Sequence, residues 1–480
     1  MTAIGIALGL TQPFILGLAL CSAAFNGLDR RTWLLAAALS GPFGLALTSA
    51  LFFLYTRLTY PGHGFLYYAI LESLLAAGGL LFLLRRRRSD NSSRALHTDR
   101  LPRGWVAVLA VALVAAVAIS LGRFWTGVLA NPDGRWDAWI TWNLRARFIF
   151  LGGERWLDGF SRELMVGQTD YPLLVPISVA RLWFYAGEAS RLAPAVVAFL
   201  FTFSIMGAVG AALSALRLPR QAVLAVFTLA SAPALVEAGA MQFGDVPVAA
   251  FILGSLILYF VHASGRMPVQ RGAAVLLGAS LGAAAWTKPE GLSFLVCFLI
   301  CWVFFEGVAR KQRLDTFVHS SLRLAAGLLP FALCLVVFQR QLAGANRFFS
   351  DRDFLDVLGK LSDAERYAIV AGAFLKQAGL LGGWTFGAAP LVTVGLVFGI
   401  RRLSIDERKT VLAGAITLCL AAASYFLVYV ISPGNPQTRM SVSLSRVVLQ
   451  LYPALVFLVF FLQRWPLQPS SPTAGLPAAE

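Results

Sequence analysis

The chain has 480 residues, 58% of them hydrophobic and 13% charged, with a mean hydropathy of +0.72. A water-soluble chain of this length exposes far more charge, so repeated membrane crossings are expected. The net charge of +16 sits mostly in short basic clusters between apolar runs. That is the positive-inside pattern; it predicts contact with membrane lipids and no nucleic-acid partner.

Apolar windows of about 15 to 23 residues predict about thirteen crossings. In chain order they are 3–20, 33–55, 66–84, 105–121, 192–213, 222–239, 246–262, 272–286, 291–306, 322–338, 384–400, 411–431 and 447–462. The first has no basic leader and no clear cleavage site, so it reads as a retained helix. Residues 1–84 then form a three-helix N-terminal unit. The basic segment "RRRRSDNSSRALHTDR" lies in a cytoplasmic linker, 85–104, the main body runs over 105–463, and 464–480 is a cytoplasmic tail. The clusters at 28–31, 85–88, 217–220, 266–271, 310–313 and 401–409 share one face if the N-terminus is outside and the C-terminus cytoplasmic.

The opposite face receives two long loops, 122–191 and 340–383, longer than a chain reversal needs. The first contains "NPDGRWDAWITWNLRARFIF" (131–150). Within it Trp139, Trp142, Arg145 or Ala146, and Ile149 recur at helical spacing, which predicts an amphipathic interfacial helix. "YPLLVPISVARLWFYAGE" (171–188) predicts a second.

The five cysteines (Cys21, Cys297, Cys301, Cys334 and Cys419) all lie in or beside apolar runs, without a disulfide framework or zinc spacing. His63, His97, His262 and His319 are scattered, so no paired-histidine metal site or histidine triad is expected. There is no nucleotide-binding glycine loop. Proton transfer on the outer face therefore falls to carboxylates. Asp137, Asp133, Asp170 and Asp245 each sit where a hydrophilic segment meets a helix, and each is open to a capping role as well as a chemical one. In "AAAWTKPEGLSF", Lys288 can meet a lipid phosphate or pair with Glu290. "TRMSVSLSRVVLQLYP" brings Arg439 and Arg446 to the outer face, with Arg446 entering the last helix against its dipole, a position suited to a bound anion.

Taken in order, "DGRWDAWITWNLRARF", "DYPLLVPISVA", "GDVPVAAFILGSLILYF", "GAAAWTKPEGLSF" and "SLSRVVLQLYPALVF" resemble the bacterial GT-C glycosyltransferases of the dolichyl-phosphate-mannose mannosyltransferase and aminoarabinose transferase type. The resemblance covers roughly 105–462. It implies an all-α polytopic GT-C-like bundle with interfacial helices in the first large external loop, in the bacterial inner membrane. It also implies transfer of a sugar, with inversion, from a polyprenyl-phosphate donor to a glycan, lipid or protein acceptor at the periplasmic face. Carried over, Asp137 is the catalytic acid of the first loop, with Asp133 and Asp170 as the competing carboxylates. Lys288 and Arg446 meet the lipid phosphate, and Arg439, Asp245, Glu290, Trp139, Trp142 and Tyr171 complete the substrate site. Many members carry Asp-Glu where this chain has Asp137–Ala138, which weakens any inference of a divalent metal, and no large domain follows Leu462. Two other readings are an O-antigen ligase or polymerase, for which Arg340, Arg347, Arg352 and Arg366 supply outer-face charge, and a lipid-glycan transporter. A transporter predicts internal repeats and charges deep within crossings; Glu72 is the main carboxylate inside one.

Overall fold

In a hydrocarbon solvent every backbone N–H and C=O must find its partner within the protein, and a chain this apolar meets that demand with helices. A computed structural model describes residues 2–25, 29–59, 64–89, 103–161, 164, 168–267, 271–310, 313–344, 354–384 and 399–464. Among them no strand occurs beyond an isolated bridge between Ile400 and Gln463. Among the described residues nine helices are long and apolar enough to cross a membrane, or up to eleven if each of two bent pairs counts as one span. The protein is an all-α polytopic membrane protein. The expected crossing at 384–400 falls almost wholly outside the described residues, as do His63, His97, most of the 85–104 linker, Arg347, Arg352 and nearly all of the tail.

The N-terminal helices α1 (Thr2–Ala24), α2 (Arg30–Leu58) and α3 (Phe65–Ser89) are followed by α4 (Arg103–Ala130). The Asp29 carboxylate caps α2 by accepting from Thr32 N at 2.9 Å. α1 and α2 pack into the body against α6 (Leu174–Ala186), and α2 also meets α7 (Leu192–Ala215). α3 and α4 stay peripheral, with Leu71, Leu74, Val111 and Val114 exposed to what would be lipid. At the centre lies α10 (Asp245–Ala263), buried nearly all round, beside α11 (Ala273–Thr287). α11 meets α13 (Leu314–Gln341) so closely that a methyl at Gly278 would lie 1.8 Å from the Leu324 carbonyl oxygen, and one at Gly327 1.8 Å from that of Val275. Small residues that let two backbones touch are the usual contact in a membrane, where lipid removes the hydrophobic drive between helices.

Several expected elements differ. The 222–239 window is two helices, α8 (Pro219–Ala230) and α9 (Pro233–Ala240), bent by 57° where Pro233 cannot continue the hydrogen-bond ladder. The 291–306 window is α12 (Pro289–Trp302) running into a π-helical stretch, Val303–Ala309. Segment 171–188 is not an exposed amphipathic helix: α6 is buried within the protein from Leu174 to Trp183. After α13 come α14 (Phe354–Ser362), α15 (Ala364–Gly379) and α16 (Ile405–Val430). The last pair, α17 (Pro436–Leu449) and α18 (Tyr452–Leu462), is bent by 41°. Arg446 thus lies in the last turn of α17, where a cation suits the helix dipole, and not at the start of a helix.

The connections sort to two ends of α10. At its C-terminal end Arg266 and Arg401 both pair with Glu407, and Arg310 pairs with Glu306 and Asp406. At its N-terminal end, roughly 28 Å away for 19 residues at 1.5 Å each, gather the carboxylates and arginines of the segments around 131–171, 288–290 and 439–446.

Candidate functional site

Asp245 begins α10 but does not cap it. Its side chain is buried and points at the break between α11 and α12, where Lys288 is extended. Lys288 Nζ donates to Asp245 Oδ1 at 2.8 Å and lies 3.2 Å from Glu290 Oε1. Burial works to discharge this ammonium, but Asp245 and then Glu290 outweigh it and hold Lys288 well above the ordinary lysine range. Gln450 Nε2 donates to the same Asp245 oxygen at 2.7 Å, and Tyr425 Oη donates to Gln450 Oε1 at 3.1 Å. Of the two expectations for Lys288, the structure shows the pairing: it pairs with Glu290, and more closely with Asp245, so its charge is already balanced by carboxylates.

Asp137 ends the turn that follows α4. Its Oδ2 accepts from Arg446 Nη1 at 2.5 Å, a contact between positions 309 apart. The Arg446 guanidinium also lies 4.5 Å above the Phe243 ring. Asp133, four residues earlier, faces away, held by Arg191 at 3.1 Å and Arg147 at 3.9 Å on the outer surface. The turn itself is rigid. Gly134 has φ +74°, a backbone suited to glycine, and a Cβ there would meet the Met241 carbonyl at 2.8 Å. Arg135 N donates to Met241 O, Gln242 Nε2 to Pro132 O, and Asn143 Nδ2 to Gln242 Oε1.

Beyond Asp137 the chain makes a π-helical turn, Ala138–Trp142, and then α5 (Asn143–Leu151). Trp142, Ala146 and Ile149 are buried as their spacing predicts, but Trp139 is 46% exposed. The wider π turn moves Trp139 off that face, and it packs edge-on against Trp136. Arg145 is buried and donates to the Ile140 and Thr141 carbonyls. Burial lowers its guanidinium to about 10, with the nearby Asp170 acting in the opposite direction. Asp170 is also buried, and α6 starts four residues after it without a side-chain cap. Tyr171 lies beneath Lys288, whose Nζ is 5.6 Å from its ring. Burial, then the Glu290 charge, push its phenol up.

These groups border one cavity of 1470 Å³. That exceeds the roughly 300–1,000 Å³ of pockets for drug-sized ligands. Of the expected residues, Asp137, Asp170, Tyr171, Trp142, Glu290, Arg439 and Arg446 line it; Asp245 and Lys288 stand behind the wall, and Asp133 and Trp139 are outside it. Glu237, Gln168, Tyr425 and Tyr429 also line it and were not anticipated. Glu237 lies on α9 amid "PALVEAGA", where nothing local marks a site. Leu292 and Val296 of α12, Val428 of α16 and Val442 of α17 form an apolar flank that is open to the surroundings. Of the other arginines singled out in the sequence, Arg366 is committed to the Val430, Ser432 and Gly434 carbonyls, while Arg340 is exposed at the end of α13. Among the described residues no three His, Cys, Asp or Glu side chains converge as a metal site. No protein-family model matches the chain, and no curated protein or solved structure does.

Proposed function

We propose that the protein is a membrane glycosyltransferase that moves a sugar from a polyprenyl-phosphate carrier to an acceptor on the outer face. The GT-C-like arrangement, about thirteen crossings and a periplasm-facing site in a bacterial inner membrane belong to the same reading. The observation that carries it is the joining of two chemistries in one cavity. Asp137, Arg439 and Arg446 face the same space as the open apolar flank of Leu292, Val296, Val428 and Val442. A substrate with a charged head on a long hydrocarbon tail fits such a space, its tail leaving sideways into lipid.

In this mechanism Arg439 and Arg446 take the phosphate. Arg446 then exchanges Asp137 for a phosphate oxygen, and the released carboxylate accepts the proton of the acceptor hydroxyl. The acceptor oxygen bonds to the anomeric carbon as the bond to the phosphate oxygen breaks from the opposite side, which inverts that centre. The electron pair leaves on the polyprenyl phosphate, whose growing charge the two arginines stabilise. Lys288 acts indirectly, fixing Glu290 and Asp245 in the wall.

The test is release of labelled sugar from a panel of undecaprenyl-phosphate sugars, in membranes containing the protein or its Asp137→Asn variant. Turnover with one donor, reduced on the order of 10²–10⁴-fold in the variant, is expected. Equal turnover in the variant would remove Asp137 from the role and shift it to Asp170 or Glu290. Failure of every donor to bind would remove the reaction class.

A further inference from the structure

Two features of the cavity are not used by the transfer step. Trp136 is 62% exposed on its rim, with Trp139 set edge-on behind it at 4.7 Å and 76°. Glu237 is exposed on the α9 wall of the same cavity, and among the described residues its carboxylate has no ion pair or hydrogen bond. The two are tied to each other by the backbone: Arg135 N donates to Met241 O, and Met241 N donates to Glu237 O, at 3.2 and 2.9 Å. The staples from Gln242 and Asn143 fix the same turn.

From this juxtaposition we propose that Trp136 and Glu237 form an acceptor subsite for a neutral saccharide, so that the acceptor is a glycan. An indole face offers a flat apolar surface to the C–H face of a pyranose, and an unpaired carboxylate accepts from sugar hydroxyls through strong charge-assisted bonds. Holding both on a stapled turn removes the ordering cost that weakens carbohydrate binding. Charge sorts the two substrates. The donor phosphate is drawn to Arg439 and Arg446, while at the Trp136 end Arg135 offsets the charge of Glu237, so that end carries little net charge and suits an uncharged partner. Asp137, adjacent to Trp136 in sequence and bonded to Arg446 in space, lies between the two subsites, where an acceptor hydroxyl and an anomeric carbon would meet. This rests on the transferase reading and adds the class of acceptor to it.

The experiment is calorimetric titration of the full-length protein, in nanodiscs of phosphatidylethanolamine and phosphatidylglycerol, with maltotriose, cellotriose and chitotriose. Saturable binding of at least one is expected, about tenfold weaker in Trp136→Ala and in Glu237→Gln. Trp136→Phe, which keeps a ring, should bind like the parent, and undecaprenyl phosphate should bind every variant at least as tightly as the parent, since Glu237→Gln only removes a repelling charge. No saturable trisaccharide binding, or unchanged binding in Glu237→Gln, overturns the proposal. So does equal loss in Trp136→Phe and Trp136→Ala, since stacking would then not be the contact. Quenching of Trp136 emission by brominated lipid without a saccharide effect would make it a head-group anchor instead. Because the trisaccharide is titrated without donor, the two readings fail separately: binding without donor turnover sinks the transferase, and turnover without binding sinks the glycan subsite.

Discussion

Lys288 is the residue on which the site's charge balance turns. It is buried between two carboxylates, and among the described residues Asp245 beneath it has in addition only the neutral Gln450 amide as a hydrogen-bond donor. Removing one member of a buried pair leaves an uncompensated charge, which costs about 3–5 kcal/mol. Lys288→Met is therefore expected to lower the unfolding midpoint in detergent, and Asp245→Asn in the same chain to recover most of the loss. If Lys288→Met unfolds like the parent, Asp245 is not charged. The Arg446–Asp137 pair is the opposite case. Asp137 is 41% exposed there, so solvent screening limits the pair to about 1 kcal/mol or less. Arg446→Gln should leave the melting curve nearly unchanged while weakening undecaprenyl-phosphate binding at least tenfold, measured in the same nanodiscs; a large melting shift with intact binding would make the pair structural.

Elements explain what a reading of the sequence reached and what it missed. Crossings are legible because hydrocarbon demands long apolar runs, and Asp137, Asp170, Lys288 and Arg446 stand out because they are acids beside such runs or cations away from the basic clusters. The rest is not: Gln450 sits in the break between α17 and α18, Glu237 is a single charged residue within α9, and contacts across 205 or 309 positions leave no local mark. Trp139 leaves the buried face of its helix at one π turn, which no period of 3.6 foresees. Close helix packing was equally silent, since a glycine within an apolar run has several readings. The α11–α13 contact now gives it one. Gly327→Leu must push the helices apart and is expected to destabilise by about 1–3 kcal/mol or more. Gly359→Ala, with open space around it on α14, should be neutral or stabilising by up to about 1 kcal/mol. Denaturant titration of both checks this; equal behaviour would mean that α11 and α13 do not touch.

For the whole molecule, the question is why α1–α3 are built into a body whose site lies elsewhere. Glu72 of α3 and Arg181 of α6 form an ion pair with both side chains wholly buried, 3.3 Å apart, in a segment long enough to cross the membrane. Arg181 also donates to the Gly9 carbonyl of α1, and Tyr185 donates to Glu72 Oε2 at 2.8 Å. A buried pair of this kind adds little stability over apolar residues of similar size, because desolvating both charges offsets their attraction. What it does supply is a fixed register between α3, α1 and α6, and α6 begins just after Asp170 and Tyr171 in the cavity wall. Glu72→Met with Arg181→Met is expected to fold with a melting temperature equal to or above the parent's, yet to lose about tenfold or more in sugar-transfer rate as the wall shifts by a fraction of an ångström. Either single change should destabilise strongly, because each leaves one charge alone in hydrocarbon. A double variant that is stable and fully active would reduce the N-terminal helices to a scaffold. One that is stable and slow would make them part of the machinery that positions the site.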